Sequence, residues 1–237
     1  GLHYRRFMRV ITSAIAPKSY LEVGTNAGQS LAQIRCASIS VDPRFALTAN
    51  IMAGKPECHL FQMTSDEFFE KDRVTQIFPK GIDLAFLDGM HLFEYLLRDF
   101  IGAERYCSSR SVVALHDCLP PQAVWAERKP QTVGWTGDVW KVVLAIREFR
   151  PDIRITCLDC PPTGLVLCTG LDSSSTILRD NYETVLDRFS SMHLSPDMHE
   201  LYGAIEITST DSLKSREAIL NKIFSSQGAN GRINDAS

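Results

Sequence analysis

Seven short runs of β-branched and aliphatic residues, most of them leading into a stretch with helical periodicity, constrain this chain more than any other feature. "SYLEVG" (19–24), "SISVD" (38–42), "CHLFQM" (58–63), "IDLAFLD" (82–88) and "SVVALHD" (111–117) read as strands. Helical patterns are expected from about Gly28, from near Phe45, over "SDEFFEKDRVTQIF", over "HLFEYLLRDFIGAERYC" and over "DVWKVVLAIREF" (138–149). Nearly continuous apolar strands alternating with helices demand a parallel sheet buried on both faces. The last two runs, "DIRITCLD" and "TGLVLCTG", meet at "CPPTG", which leaves no room for a helix and predicts an antiparallel hairpin at the sheet edge. The expected fold is therefore α/β: a Rossmann-like, doubly wound sheet of seven strands, mostly parallel, with a terminal antiparallel hairpin.

The flanking segments divide the remaining chain. Residues 1–17 carry Phe7, Val10, Ile11, Ala14 and Ile15 at helical spacing and run straight into a strand, which favours a packed helix over a targeting peptide. Residues 18–170 hold the sheet, and 171–224 hold a helical extension with Leu213, Ala218, Ile219 and Ile223 on one side. That extension would either cover the sheet or support a homo-oligomer. Residues 225–237 are polar and expected to be disordered. A net charge of −3 offers no general basic field for nucleic acid, and no apolar stretch is long enough for a bilayer. The seven cysteines form an odd set, several in apolar runs, and the "CLDC" at 157–160 lacks a second pair for zinc. Reduced thiols in a cytoplasmic protein are expected.

Ligands of doubly wound sheets collect where loops leave the carboxyl ends of the strands. The first such loop, "LEVGTNAGQS", has Gly24 and Gly28, which permit close backbone approach, but Asn26 and Gln29 stand where a dinucleotide fingerprint needs glycine. A P-loop lysine is absent. Glu22 on the strand and Asp42 at the end of the next strand suit a cationic or neutral nucleoside with free ribose hydroxyls better than a polyphosphate.

In order along the chain, "EVGTNAGQS", "VDP", "IDLAFLDGMH" and "ALHD" resemble the motifs of class I S-adenosylmethionine-dependent methyltransferases. The subgroup most similar has the pattern DGxHxYxxxxxD followed by HD and includes metal-assisted sugar O-methyltransferases of the macrolide type. The resemblance spans roughly residues 18–170. It implies that Gly24, Thr25, Asn26, Gly28 and Ser30 surround the methionine part of the cofactor and that Asp42 holds the ribose. Ser65, with Thr64, would lie near the adenine; Ser65 fits a helix cap equally well. Asp88 would border the cofactor and join Asp117 as a ligand of a divalent cation. His116 stands where such enzymes usually carry a carboxylate, so it reads as a ligand for Mn²⁺ or a softer ion in preference to Mg²⁺, or as a second base.

His91 is expected in the first turn of the helix after the fourth strand, off its apolar stripe. The helix N-terminus would lower its pKa and keep a neutral imidazole, which is what a general base for a hydroxyl acceptor needs. The long segment "CLPPQAVWAERKPQTVGWTG" (118–137) reads as a lid or acceptor surface, with Trp125 and Trp135 as flat apolar faces and Arg128 and Lys129 available to an anionic acceptor. Asp138 suits a helix cap, Trp140 a place behind the lid and Lys141 a position facing the crevice. The expected activity is methyl transfer to a hydroxyl of a small molecule such as a sugar or glycosylated metabolite. The other reading is a non-methylating relative that binds the cofactor or a nucleoside, either hydroxylase-like or a binding protein with a vestigial site.

Overall fold

The computed structural model describes residues 1–225; the polar tail lies outside the described residues apart from Ser225. Eight strands form one sheet: β1 (Ser19–Val23), β2 (Ala37–Val41), β3 (Cys58–Phe61), β4 (Ile82–Leu87), β5 (Cys107–His116), β6 (Arg154–Leu158), β7 (Leu165–Thr169) and β8 (Ile207–Thr208). Their spatial order is β3-β2-β1-β4-β5-β7-β6-β8. The first five pair in parallel, and β7 runs antiparallel to both β5 and β6. The count of seven is corrected to eight because β8, two residues pairing parallel with β6, is too short to leave a period in the sequence.

Alternation along each strand splits the core into two layers. Leu21, Ile39, Ala85, Leu87, Val113 and Leu115 face one side, under α2 (Ser65–Glu70), α3 (Arg73–Ile77), α4 (Phe93–Glu104) and α5 (Lys141–Phe149). Tyr20, Leu84, Phe86, Val112, Ala114 and Leu167 face the other, under α1 (Tyr4–Ile15) and α9 (Arg216–Phe224). The C-terminal segment contributes to both layers. Leu178 of α6 (Ile177–Asp180), Val185 and Phe189 of α7 (Tyr182–Phe189) and Leu201 of α8 (His199–Tyr202) join the first, whereas Leu213, Ile219 and Ile223 join the second. No helix among the described residues is long and apolar enough to cross a membrane. All seven cysteines are free thiols.

Three expected helices differ. After β1 the chain makes only a 3-10 turn, Leu31–Gln33. Near Phe45 no helix forms, because the backbone N–H groups of Ala46, Thr48 and Ala49 bond to the carbonyls of Asn26 and Ala27 in the first loop instead of to their own turn. The 65–78 pattern breaks between α2 and α3 at Asp72, whose φ is +46°.

Phe100 of α4 is fully buried between the sheet and the flanking helices. Phe100→Ala should lower the unfolding free energy by about 3–5 kcal/mol, seen as a lower urea midpoint at unchanged slope.

Candidate functional site

Strand register sets the geometry. Val23 pairs with Val41 on one side and Leu87 on the other, and Leu87 pairs with Leu115. The residues one step further, Gly24, Asp42, Asp88 and His116, therefore share one rim, at the point where the chain order reverses across β1 and β4. They line a cavity of about 730 Å³ together with Asn26, Ser65, His91 and Asp117.

The turns at this rim are tight. Gly24 has φ +84°, and a Cβ there would come 1.9 Å from the Asp88 carbonyl oxygen. Asn26 and Asp117 also hold positive φ, +46° and +59°. Such conformations cluster at functional sites. Asp42 accepts from the backbone N–H of Asn26 and of Arg44, both at 2.7 Å. This fixes its carboxylate against the first loop, on the lining of the cavity, with acceptor capacity to spare.

Four of the residues expected at the cofactor do not line the cavity. Glu22 shares the Tyr20 face of β1 and accepts a 2.5 Å hydrogen bond from the Tyr20 hydroxyl; its other oxygen, Oε1, is buried without a partner among the described residues. The Thr25 hydroxyl is 2.6 Å from that of Ser40. Gly28 (φ +77°) accommodates Ile51, whose Cγ2 would sit 2.6 Å from a Cβ. Ser30 is buried just before the 3-10 turn. The helix cap is Thr64 and not Ser65: its hydroxyl accepts from Glu67 N–H while the Glu67 carboxylate accepts from Thr64 N–H, a reciprocal box. Ser65 lines the cavity beside Asp99.

His91 lies ahead of α4, not in its first turn; Leu92 precedes Phe93 in extended conformation. The Trp135 carbonyl accepts from His91 Nδ1 at 3.3 Å, so in the neutral ring Nε2 carries the lone pair. Nε2 is 3.2 Å from Asp117 Oδ2 and 3.6 Å from Asp88 Oδ1. Burial opposes its charged form, but the Asp88 hydrogen bond and the Asp117 charge outweigh it and raise the pKa, opposite to the expected lowering. His116 Nδ1 lies 3.1 Å from Asp88 Oδ1 and 3.3 Å from Asp117 Oδ2, and its ring packs on Tyr4 of α1 at 4.0 Å between centroids. Burial would raise the pKa of Asp88, yet the facing His116 holds it down at about 2.

Asp88, His116 and Asp117 each offer a ligand atom within 4.8 Å of the others. One imidazole nitrogen between two carboxylates fits Mn²⁺ or a similar borderline ion better than Mg²⁺.

The 118–137 segment is tied down by a residue that sequence reasoning gave only a local role. Asp138 Oδ1 accepts from the Phe93 backbone N–H at 2.9 Å and so caps α4 from across the fold. Its Oδ2 accepts from Lys141 Nζ (2.9 Å) and Arg128 Nη1 (2.8 Å). Lys141 is thus buried and also donates to the Ser190 carbonyl, not exposed to the crevice. Arg128 also grips Glu94 through both terminal nitrogens, so it is not a free acceptor contact. Asp99 was given no role at the cavity; it stands at the closing acid of the DGxHxYxxxxxD pattern, in the helical stretch "DGMHLFEYLLRD", and it is 2% exposed.

No protein-family model matches the chain, and no curated protein matches it in sequence. Solved structures do resemble it. An O-methyltransferase from Bacillus cereus in complex with SAH aligns over 70% of this chain and 79% of its own, with TM-score 0.52 and 11% identity. The O-methyltransferase TomG from Streptomyces achromogenes, involved in tomaymycin synthesis and solved with SAM, aligns over 71% and 80%, with TM-score 0.53 and 12% identity. The chain has the O-methyltransferase fold. In that methyltransferase fold the cavity found here opens at the carboxyl ends of the parallel strands.

Burial lifts Glu22 from 4.5 to about 8, against the pull of the Tyr20 hydrogen bond. An acid whose pKa is raised by folding contributes stability at low pH that disappears as pH rises toward the folded value. Wild-type Tm should therefore fall between pH 5 and about 8. Glu22→Gln should flatten that decline and melt higher at pH 8.5, by about 2–4 °C per kcal/mol regained. Parallel declines in both proteins would contradict the assignment.

Proposed function

We propose that the chain binds S-adenosylmethionine in this cavity and transfers its methyl group to a hydroxyl of a small molecule, a sugar or glycosylated metabolite being the first candidate. The observation that carries the reading is the convergence of Asp42, Asp88, Asp117 and His91 on one cavity, in a fold shared with O-methyltransferases. Asp42 would take the ribose hydroxyls. The backbone of Gly24 and Asn26 would border the methionine part, and the acidic rim favours a sulfonium over a phosphate.

Methyl transfer from a sulfonium is an in-line displacement: the acceptor oxygen forms the new C–O bond as the S–C bond breaks, and the hydroxyl proton must leave. The donor is already activated, so positioning and proton removal remain for the protein. His91 Nε2 has the lone pair for that proton because Nδ1 is committed to Trp135. Asp117, 3.2 Å away, then stabilises the imidazolium. Asp88, His116 and Asp117 would hold a divalent cation. Such an ion, when bound, acidifies a coordinated hydroxyl.

Calorimetry should show binding of both SAM and SAH, weakened at least about tenfold by Asp42→Ala, which removes a charge-assisted contact to the ligand. Labelled-methyl transfer into a panel of hydroxylated acceptors should fall by about 10²–10⁴ in His91→Ala, with SAH affinity unchanged. Full transfer by that variant would remove His91 as the base. Absence of any SAM or SAH binding would leave only a chain that has lost the cofactor.

A further inference from the structure

We infer that Asp99 reads the amino edge of the adenine ring, and so sets which purine nucleoside the cavity accepts. The inference rests on the cofactor assignment above. With the ribose at Asp42 and the sulfonium between the first loop and His91, the base is left the wall that includes Thr64, Ser65, Asp66, Met90, Tyr95 and Asp99.

Two carboxylates stand on that wall, and only one is free to bind a ligand. Asp66 is gripped by Arg98, whose Nε and Nη2 donate to its two oxygens at 2.9 and 3.0 Å. Arg98 turns away from its sequence neighbour Asp99, which has no ion-pair partner among the described residues. A buried carboxyl group without a counter-charge weakens the fold unless something outside the protein satisfies it. Burial pushes Asp99 up to about 7 against the opposing pull of the Ser65 hydroxyl, and the nearby Asp66 adds to the rise more than Arg98 offsets it.

The turn after β4 leaves room beside the group. Gly89 has no side chain where one would crowd it: a Cβ there would come 3.1 Å from Asp99 Oδ2 and 3.2 Å from Val23 Cγ1. Asp99 thus lines the cavity together with Ser65 and the Gly89–Met90 turn. An ionised carboxylate only accepts hydrogen bonds. It complements the 6-amino group of adenine and repels the 6-oxo group of hypoxanthine.

Titration calorimetry at pH 8 with SAH and its 6-oxo analogue, S-inosylhomocysteine, tests the assignment. Wild type should prefer SAH by about tenfold or more, since a site built for a donor leaves its acceptor unpaired against the oxo ligand. Asp99→Asn has nearly the same shape and can turn its amide to donate or accept. It should hold SAH within a few-fold, gain affinity for the oxo analogue, and lose most of the preference. Asp99→Ser, too short to reach the base, should also lose it. A wild type indifferent to the amino group, or variants that keep the full preference, would overturn the inference while leaving the cofactor reading intact. Failure of wild type to bind either nucleoside would instead bring down the cofactor reading, and this inference with it.

Discussion

Val23 sits in register with Val41 and Leu87 at once, and much of the candidate site follows from that pairing. Parallel strands place the ends of sequentially distant segments side by side, so that residues 24, 42, 88 and 116 become neighbours without any contact between their side chains being needed to bring them there. A slip of one residue in either pairing would turn Asp42 or Asp88 to the opposite face of the sheet. The apolar alternation that drives the two core layers thus also aims the polar groups at the rim. His116 shows the coupling: it continues the Val112–Ala114 face, which is why it meets Tyr4 of α1 behind the site while its Nδ1 looks toward the carboxylates.

The second organising element is Asp138. A buried carboxylate that caps α4 and accepts from both Lys141 and Arg128 joins the start of one helix, the start of the next and the long loop between β5 and α5. The loop carries the Trp135 carbonyl that fixes the His91 ring. His91 therefore owes its orientation to residues more than forty positions away and not to the helix it precedes. Removing one partner of such a buried network leaves the others desolvated and unpaired, which makes the network cooperative.

This division explains what could be read in advance. Strands were legible because a buried parallel strand writes an unbroken apolar run, and the hairpin was legible because "CPPTG" leaves no room for a crossover. The rim acids were legible because each ends such a run. Glu22 was not, since its type and position suit a ligand while the period-two alternation puts it on the Tyr20 face, away from the cavity. The helix near Phe45 failed because its backbone donors found carbonyls in the first loop, a tertiary choice with no local signature. Asp138 and Lys141 were read as a local cap and a crevice-facing residue, and Asp99 only within its helical motif, because the partners that decide their places lie on other elements.

The charge distribution of the cavity argues for the kind of ligand it takes. Asp42, Asp88, Asp99 and Asp117 face inward, and the cations set against them on the lining are Arg44, His91 and His116. Both histidines have their pKa raised by the carboxylates they face, so part of their positive charge exists only because the acids are there. A phosphate would enter against this field. A sulfonium, or a metal ion between Asp88 and Asp117, would enter with it, and the histidines could then surrender their protons at no loss of charge balance. The same carboxylates would thus draw in the cationic donor and leave His91 the neutral base that proton removal requires.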